Sequence, residues 1–425
     1  MRKEIISGDK LSFFINEIKN ALSGNFKSIV FLIYFILILV YPLVSTAVGI
    51  GVFTFATLIY LIYIIWNDDA RTRFKNGIKD RRSITTMSLL LITVWTLLSS
   101  VWSLSFKDTF GISFLFIFLF ILYMVIKYEF RDEGYGECFQ YALFIGLFFV
   151  MAYLAYQNLT TFMRHGMFIR GAHISTIENA NSLSVMSMMG FFMAFFKARG
   201  SKGRLDRAFY ILLTLLCLGA VVTAQSRAAL GIMLFGLVVL VVMYNKKLLW
   251  VLLIFVMIIA LMPSVQQRFL DIFSYEQNVP RVKIWLVAVK LFQLNPLTGT
   301  GASAFRFGYT EYFNTHPDLF NDWDIPGIWH AHNMFLRFLA ELGLPGLIGI
   351  LGTILGSFKA LRSTLKIPEL TYGTKRTLQG IFIALITFTM ASLVDSYFME
   401  PKVMIIFYIL IGLSQSYSES LGIKS

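Results

Sequence analysis

Apolar residues run along this chain in long blocks, separated by short polar and basic stretches. The blocks extend for roughly 17–25 residues, the length a helix needs to cross the hydrocarbon core of a bilayer. Twelve are predicted, at about 28–47, 49–66, 84–101, 109–127, 139–157, 178–196, 208–225, 227–244, 248–263, 333–357, 378–396 and 402–418. Soluble domains carry shorter apolar runs. The pattern therefore predicts an all-α polytopic membrane protein of about 12 transmembrane helices plus one helical extracytoplasmic segment.

The interruptions set the organisation. Tyr41-Pro42 to Gly49 turns a first helical hairpin, and Trp102 to Asp108 makes a short turn whose tryptophan suits a membrane interface. From Pro263 to Trp329 no block is long enough to span. A connection that long is expected to contain helix. Between Arg281 and Phe292, Ile284, Val287, Ala288 and Leu291 recur at helical spacing. They predict an amphipathic helix with Pro280 in its first turn, ended by Asn295-Pro296 and capping the bundle along the membrane surface. Three parts follow: a membrane bundle of about nine spans (1–263), an extracytoplasmic loop domain (264–332) and a second bundle of about three spans (333–425).

Charge orients this arrangement. With the N-terminus inside, 26 of the 37 Lys and Arg residues fall in the segments expected to face the cytoplasm, as the positive-inside rule requires. Arg71, Arg73, Lys75, Lys79, Arg81 and Arg82 form one such loop. The net charge of +13, on a chain that is 57% hydrophobic with mean hydropathy +0.70, is thus mostly topological. A nucleic-acid surface needs basic residues clustered on a soluble domain, and none is present. No cleavable signal is apparent, since the first apolar block is long enough to remain as a span. Cys138 and Cys217 are the only cysteines, too few for a structural zinc site and placed at different depths.

The candidate chemistry gathers on the side expected to face outward. His330-Ala-His332-Asn333 closes the long polar connection and opens the block beginning at Met334. Imidazoles at a membrane edge can exchange protons near neutral pH. Arg164, His165, Arg170 and His173 lie in another outer connection, before Glu178-Asn179-Ala180-Asn181. Arg227 follows Gln225-Ser226 where two blocks meet with almost no loop, and a membrane arginine is costly unless it is paired, snorkels or faces a wet cavity. Arg281 and Lys283 stand on the amphipathic helix. Arginine grips phosphate oxygens through two planar bonds. Such cations beside a histidine suit a reaction in which a diphosphate leaves and a hydroxyl attacks, with the histidine taking the proton. The spacing of Arg337 and Glu341 allows them to pair within the membrane. Asp322-Trp-Asp324 has the spacing of a divalent-ion site in some sugar transferases, but arginine can neutralise the charge without an ion. Gly299-Thr-Gly301 reads only as a tight turn, because the full nucleotide glycine pattern is missing.

In order along the chain, these pieces resemble the bacterial O-antigen ligase and polymerase superfamily. His332-Asn333, then Gly343-Leu-Pro-Gly346, is similar to its histidine signature. Gln225-Ser226-Arg227-Ala-Ala-Leu-Gly231 resembles its Ser-Arg-Gly element, with Ala228 where glycine is commoner. Arg281-Val-Lys-Ile-Trp285 through Pro296-Leu-Thr-Gly299-Thr-Gly301 resembles its Arg/Trp and Pro-Gly-Gly stretch. Asn179-Ala-Asn181 resembles an Asn-Pro-Asn element with Ala180 in place of proline. The resemblance implies an inverting membrane glycosyltransferase of the bacterial inner membrane, working on its outer side without nucleotide, metal or other cofactor. Its donor is a glycan on undecaprenyl diphosphate. Its acceptor is a sugar hydroxyl of lipid A core for a ligase, or a second lipid-linked glycan for a polymerase. It also implies catalytic roles for His332, Arg227 and Arg281 and places His330, Asn333, Arg337 and Glu341 at the substrate; Arg170 and Lys283, as outer-edge cations, are expected to bind substrate with them. A transporter of the same lipids is the rival from another class, which would place its charges nearer the bilayer midplane.

Overall fold

The computed structural model describes residues 7–166, 173–177, 179–317, 320 and 327–420, and no strand occurs among them. The helices are α1 (Ser7–Leu22), α2 (Phe26–Val40), α3 (Thr46–Trp66), α4 (Asp68–Ile78), α5 (Ile84–Leu98), α6 (Phe106–Met124), α7 (Glu133–His165), α8 (Ala180–Gly200) and α9 (Arg204–Ala224). They continue as α10 (Arg227–Met243), α11 (Leu249–Leu261), α12 (Pro263–Leu270), α13 (Tyr275–Leu294), α14 (Phe305–Thr315), α15 (Met334–Leu365), α16 (Tyr372–Ala391) and α17 (Pro401–Ser420). Every predicted apolar block overlaps a helix. Among the described residues six helices, α3, α5, α6, α7, α9 and α15, are long and apolar enough to cross a membrane. Helices α2 and α10 are apolar but shorter.

Helices α8 and α17 fill the centre. Nearly every side chain from Ser182 to Ala198 and from Lys402 to Ser418 is buried. Their neighbours shield them, so they can carry serine and glutamine where a lipid-facing helix could not. Helix α8 packs on α9 and α16, α15 on α5, and α17 on α6 and α15.

Two sequence expectations are corrected here. The block 248–263 holds one helix, α11, shorter than expected, and at its end the chain bends by 102° into α12. Pro263 opens α12 and Met262 is extended before it, because proline lacks an N–H and disfavours helical backbone in the residue it follows. The amphipathic helix α13 starts at Tyr275, so Pro280 lies inside it rather than in its first turn. Its apolar face is as the spacing predicts. Ile284, Val287, Ala288 and Leu291 are buried in a small core with Phe305, Tyr309, Ala331 and Ala340.

One break governs the end of the bundle that carries the 262–333 connection. Helix α15 loses helical geometry at Gly343, with φ +65° and ψ −159°, and Pro345 follows. The break strips carbonyls of their helical partners, and within a bundle each must be satisfied by protein. The turn Pro296–Gly301 supplies them. Thr300 N–H donates to Ala340 O at 3.0 Å and Gly301 N–H to Glu341 O at 2.8 Å, while Leu344 N–H donates back to Pro296 O at 2.9 Å. Trp95 Nε1 donates to Leu342 O at 2.9 Å. Gly299 has φ +66°, and a Cβ there would stand 2.4 Å from the Glu341 carbonyl. Gly299-Thr-Gly301 is therefore more than a tight turn: it lets two backbones touch. Beneath it Arg337 and Glu341 pair as expected, Nε to Oε1 at 2.9 Å, both buried. Ser303 N–H also donates to Glu341 at 2.7 Å.

Gly299→Ala should lower the melting temperature of the detergent-solubilised protein. Left-handed backbone alone costs about 1–2 kcal/mol for a residue with a Cβ, and the clash adds to it. Gly111→Ala, where a Cβ meets nothing within 4 Å, is the comparison that should leave melting nearly unchanged.

Candidate functional site

Four chain segments meet where α15 begins. Asn333 caps that helix, its Oδ1 accepting from Leu336 N–H at 3.0 Å. A side-chain acceptor at this position satisfies a backbone donor that the first helical turn leaves open. Asn333 Nδ2 also donates to Leu393 O at 2.9 Å, and Met334 N–H to Ser392 O at 2.8 Å. These bonds bind the start of α15 to the turn after α16. His332, one residue before the cap, takes the left-handed region at φ +46°. A residue with a Cβ holds that conformation only where its surroundings enforce it. Here it swings the imidazole to the α16–α17 turn.

Asp395 waits in that turn. His332 Nδ1 lies 3.1 Å from Asp395 Oδ1, and His330 Nδ1 lies 3.7 Å from the same oxygen. Asn181 Nδ2 donates to Asp395 Oδ2 at 3.1 Å, and Ser226 Oγ donates to Asn181 Oδ1 at 2.9 Å. Helix α8, the α9–α10 turn, the histidine loop and the α16–α17 turn thus share one hydrogen-bonded chain. Asn179 caps α8 through Ser182 N–H at 2.7 Å, so the two asparagines of Asn179-Ala-Asn181 have separate tasks. A cavity of about 310 Å³ opens over this chain, lined by Asn181, Ser182, His330, His332, Tyr397 and Glu400 among others. The buried hydroxyls of Ser182, Ser392 and Ser396 have no hydrogen-bond partner; for Ser182, which faces the cavity, a ligand would supply one.

The two histidines differ. Burial lowers the pKa of His330 to about 3, and the nearby charges of Arg337 and His332 push the same way. It is neutral at physiological pH. Its Nδ1 accepts the His332 backbone N–H at 3.3 Å. His332 keeps 32% of its side chain exposed. With Nδ1–H donated to Asp395, its Nε2 lone pair is left to take a proton. Burial raises the pKa of Asp395, but the His332 hydrogen bond and the two imidazoles outweigh burial and hold it below the usual carboxylate value. An ionised Asp395 in turn steadies an imidazolium on His332, the arrangement of a base held by an orienting acid. The same three side chains offer ligand atoms within 4.8 Å of one another, a set of two histidines and one carboxylate that suits a divalent transition ion.

The cations surround this centre unevenly. Arg281 lies one turn before Trp285 on α13, and Trp285 Nε1 donates to His332 O at 3.4 Å. The Arg281 charge acts on the hydroxyl of Tyr397 in the cavity wall. Arg227 opens α10 directly after Ser226. Lys283 is half-buried on α13 and is not among the cavity's lining residues. Arg337, engaged by Glu341, sits close enough to His330 to bear on its charge. Arg164 and His165 are exposed at the end of α7, and His173 bonds to Thr161. Arg170, Asp322 and Asp324 lie outside the described residues.

Residues 212–351 match the O-antigen ligase family model. The match covers less than half of the chain and is a likeness to that family. No curated protein matches the chain. The matched segment contains Arg227, Arg281, Lys283, both histidines, Asn333, Arg337 and Glu341. Asp395, Tyr397 and Glu400 lie beyond it, and Asn181 before it. Sequence reading passed over Asp395, though a signal was there. It is the single carboxylate in the block 378–396, and an acid in a membrane-length block is a functional candidate by default. The helix ends at Ala391, so Asp395 belongs to the turn beyond.

Asp395→Asn should lower transfer by about 10²–10⁴-fold, the usual contribution of the positioned base that Asp395 orients, with the protein still folded. His330→Gln should leave the acid limb of the pH–rate profile where it is, because an imidazole with a pKa near 3 carries no proton to lose above pH 5. A shifted limb would assign the titration to His330 instead.

Proposed function

We propose that the chain is an inverting glycosyltransferase of the cytoplasmic membrane, crossing it about twelve times. It moves a glycan from undecaprenyl diphosphate to a sugar hydroxyl of lipid A core on the outer side. The observation carrying this reading is the Asp395–His332 pair at 3.1 Å, in the wall of a cavity whose two histidines lie within the segment that matches the O-antigen ligases. His332 Nε2 takes the proton of the attacking hydroxyl. Its oxygen bonds to the anomeric carbon from the face opposite the diphosphate, and the bond from that carbon to the diphosphate oxygen breaks. The electron pair goes with the diphosphate, whose growing charge Arg227 and Arg281 meet. Oriented cations aimed at developing charge are commonly the largest single contribution to such catalysis. Neither nucleotide nor metal enters this scheme.

Polymerase activity uses the same donor chemistry and differs only in the acceptor. Lys283, Arg337 and Glu341 support the walls of the site, and Asn333 and His330 fix the loop that presents His332.

Reconstitution with a lipid-linked glycan and two competing acceptors separates the readings. Transfer to lipid A core with little joining of donor units is expected, and the reverse makes the chain a polymerase. Arg227→Lys should lose at least about tenfold in kcat/KM, since an ammonium cannot grip two phosphate oxygens in one plane; near-normal turnover would make Arg227 a membrane anchor. Activity should survive EDTA. Inactivation by the chelator, reversed by a divalent ion, would turn His330, His332 and Asp395 from proton-handling groups into ligands.

A further inference from the structure

A second and larger cavity, about 870 Å³, lies on the same end of the molecule between the α5–α6 turn, the end of α13 and α14. Its walls are unlike those of the first. Trp102 presents an aromatic face, held by Nε1–H donating to Thr298 O at 2.9 Å and by packing on Trp95 at 5.4 Å. Across from it Tyr312 and His316 stack at 4.1 Å with their planes 10° apart. Between these rings stand Gln293, Asn295 and Glu311, all exposed. One basic side chain, Lys290, and one carboxylate, Glu311, line it, so the cavity has no net pull on an anion.

Rigid aromatic faces next to amides and a carboxylate are what a sugar ring requires. Its C–H face lies against the ring, and its hydroxyls exchange paired hydrogen bonds with planar polar groups. A phosphate would call for clustered arginine, and no arginine lines this cavity. An acyl chain would call for apolar walls throughout, whereas here Leu104 and Leu294 are apolar lining among polar groups.

Helix α13 connects the two cavities. Trp285 reaches the backbone of His332 at one of them, and Gln293 lines the other. Eight residues of helix separate them, about 12 Å. A ligand touching both must be extended and made of several units.

We propose that this cavity is a carbohydrate subsite that holds glycan residues remote from the reacting bond. The inference rests on the glycosyltransferase reading for its choice of ligand, but its test reads binding alone. The full chain is placed in phosphatidylethanolamine/phosphatidylglycerol nanodiscs. The probe is the oligosaccharide released from the host's lipid-linked donor by mild acid and freed of phosphate, observed by saturation-transfer NMR. Wild type and His332→Ala should give the same ring-proton signals and the same affinity. Tyr312→Ala and Gln293→Ala, each with unchanged melting, should weaken affinity by at least about fivefold, the scale of one lost contact. Binding by both variants as tight as wild type overturns the proposal, as does absence of signal with wild type. Displacement of phospholipid in place of sugar contacts overturns it in favour of a lipid site. An active His332→Ala enzyme would defeat the transfer mechanism while leaving this binding result standing.

Discussion

Three carbonyl oxygens near the α15 break hold this end of the molecule together. Ala340, Glu341 and Leu342 accept from Thr300, Gly301 and Trp95, the last far from the other two in sequence. An unsatisfied carbonyl among apolar helices costs several kcal/mol, so these donors are not interchangeable with solvent. The constraint spreads from there. The turn that satisfies α15 also receives Trp102 Nε1–H at Thr298 and Leu104 N–H at Thr300. It therefore fixes the α5–α6 turn, the end of α13 and the start of α14 together. The buried Arg337–Glu341 pair ties the same region to Ser303. Removing one partner of such a pair strands a charge, at a cost of about 3–5 kcal/mol.

The rigidity matters because the histidine loop has little local structure of its own. His332 occupies a backbone region that a residue with a Cβ seldom takes, and Asn333 on one side and Asp395 on the other hold it there. Of two imidazoles two residues apart, one is held neutral by its surroundings, while the other lies within hydrogen-bond reach of a carboxylate. Chemically identical side chains thus acquire different capacities from burial and partner alone, the usual way a site separates its acids from its bases.

Much of this architecture is legible in the chain itself. The apolar blocks coincide with helices because backbone in lipid has few alternatives to helix. The face of α13 is readable because its spacing matches the helical period. The failures share a physical cause. The bend at Met262 and the early start of α13 depend on how proline fits one particular helix, which periodicity does not record. Gly299-Thr-Gly301 has meaning only once its partner, a broken α15, is beside it. Asp395 belongs to the site through a contact with His332 across 63 residues of sequence, and no local pattern announces such a distance. Its isolation among apolar neighbours was the available clue.

The distribution of buried charge completes the argument. At the opposite end of the bundle, ion pairs are closed. Lys197 Nζ holds Glu137 at 2.7 Å and Lys10 joins the same carboxylate at 2.9 Å. Arg73 holds Glu129 at 2.7 Å. Lys127 is wholly buried and donates to Ser83 and Thr86. A closed pair fixes helix positions and has no capacity left for a ligand. At the site end the pattern is open: His332 is a third exposed, and Ser182 beside it is unpartnered. Leaving buried polar groups unsatisfied is costly. Unpartnered buried polar atoms occur at both ends, Arg376 Nε and Ser418 Oγ among them. What sets the Asp395–His332 site apart is that its unpartnered hydroxyl, on Ser182, belongs to the wall of a cavity, where a ligand completes the structure.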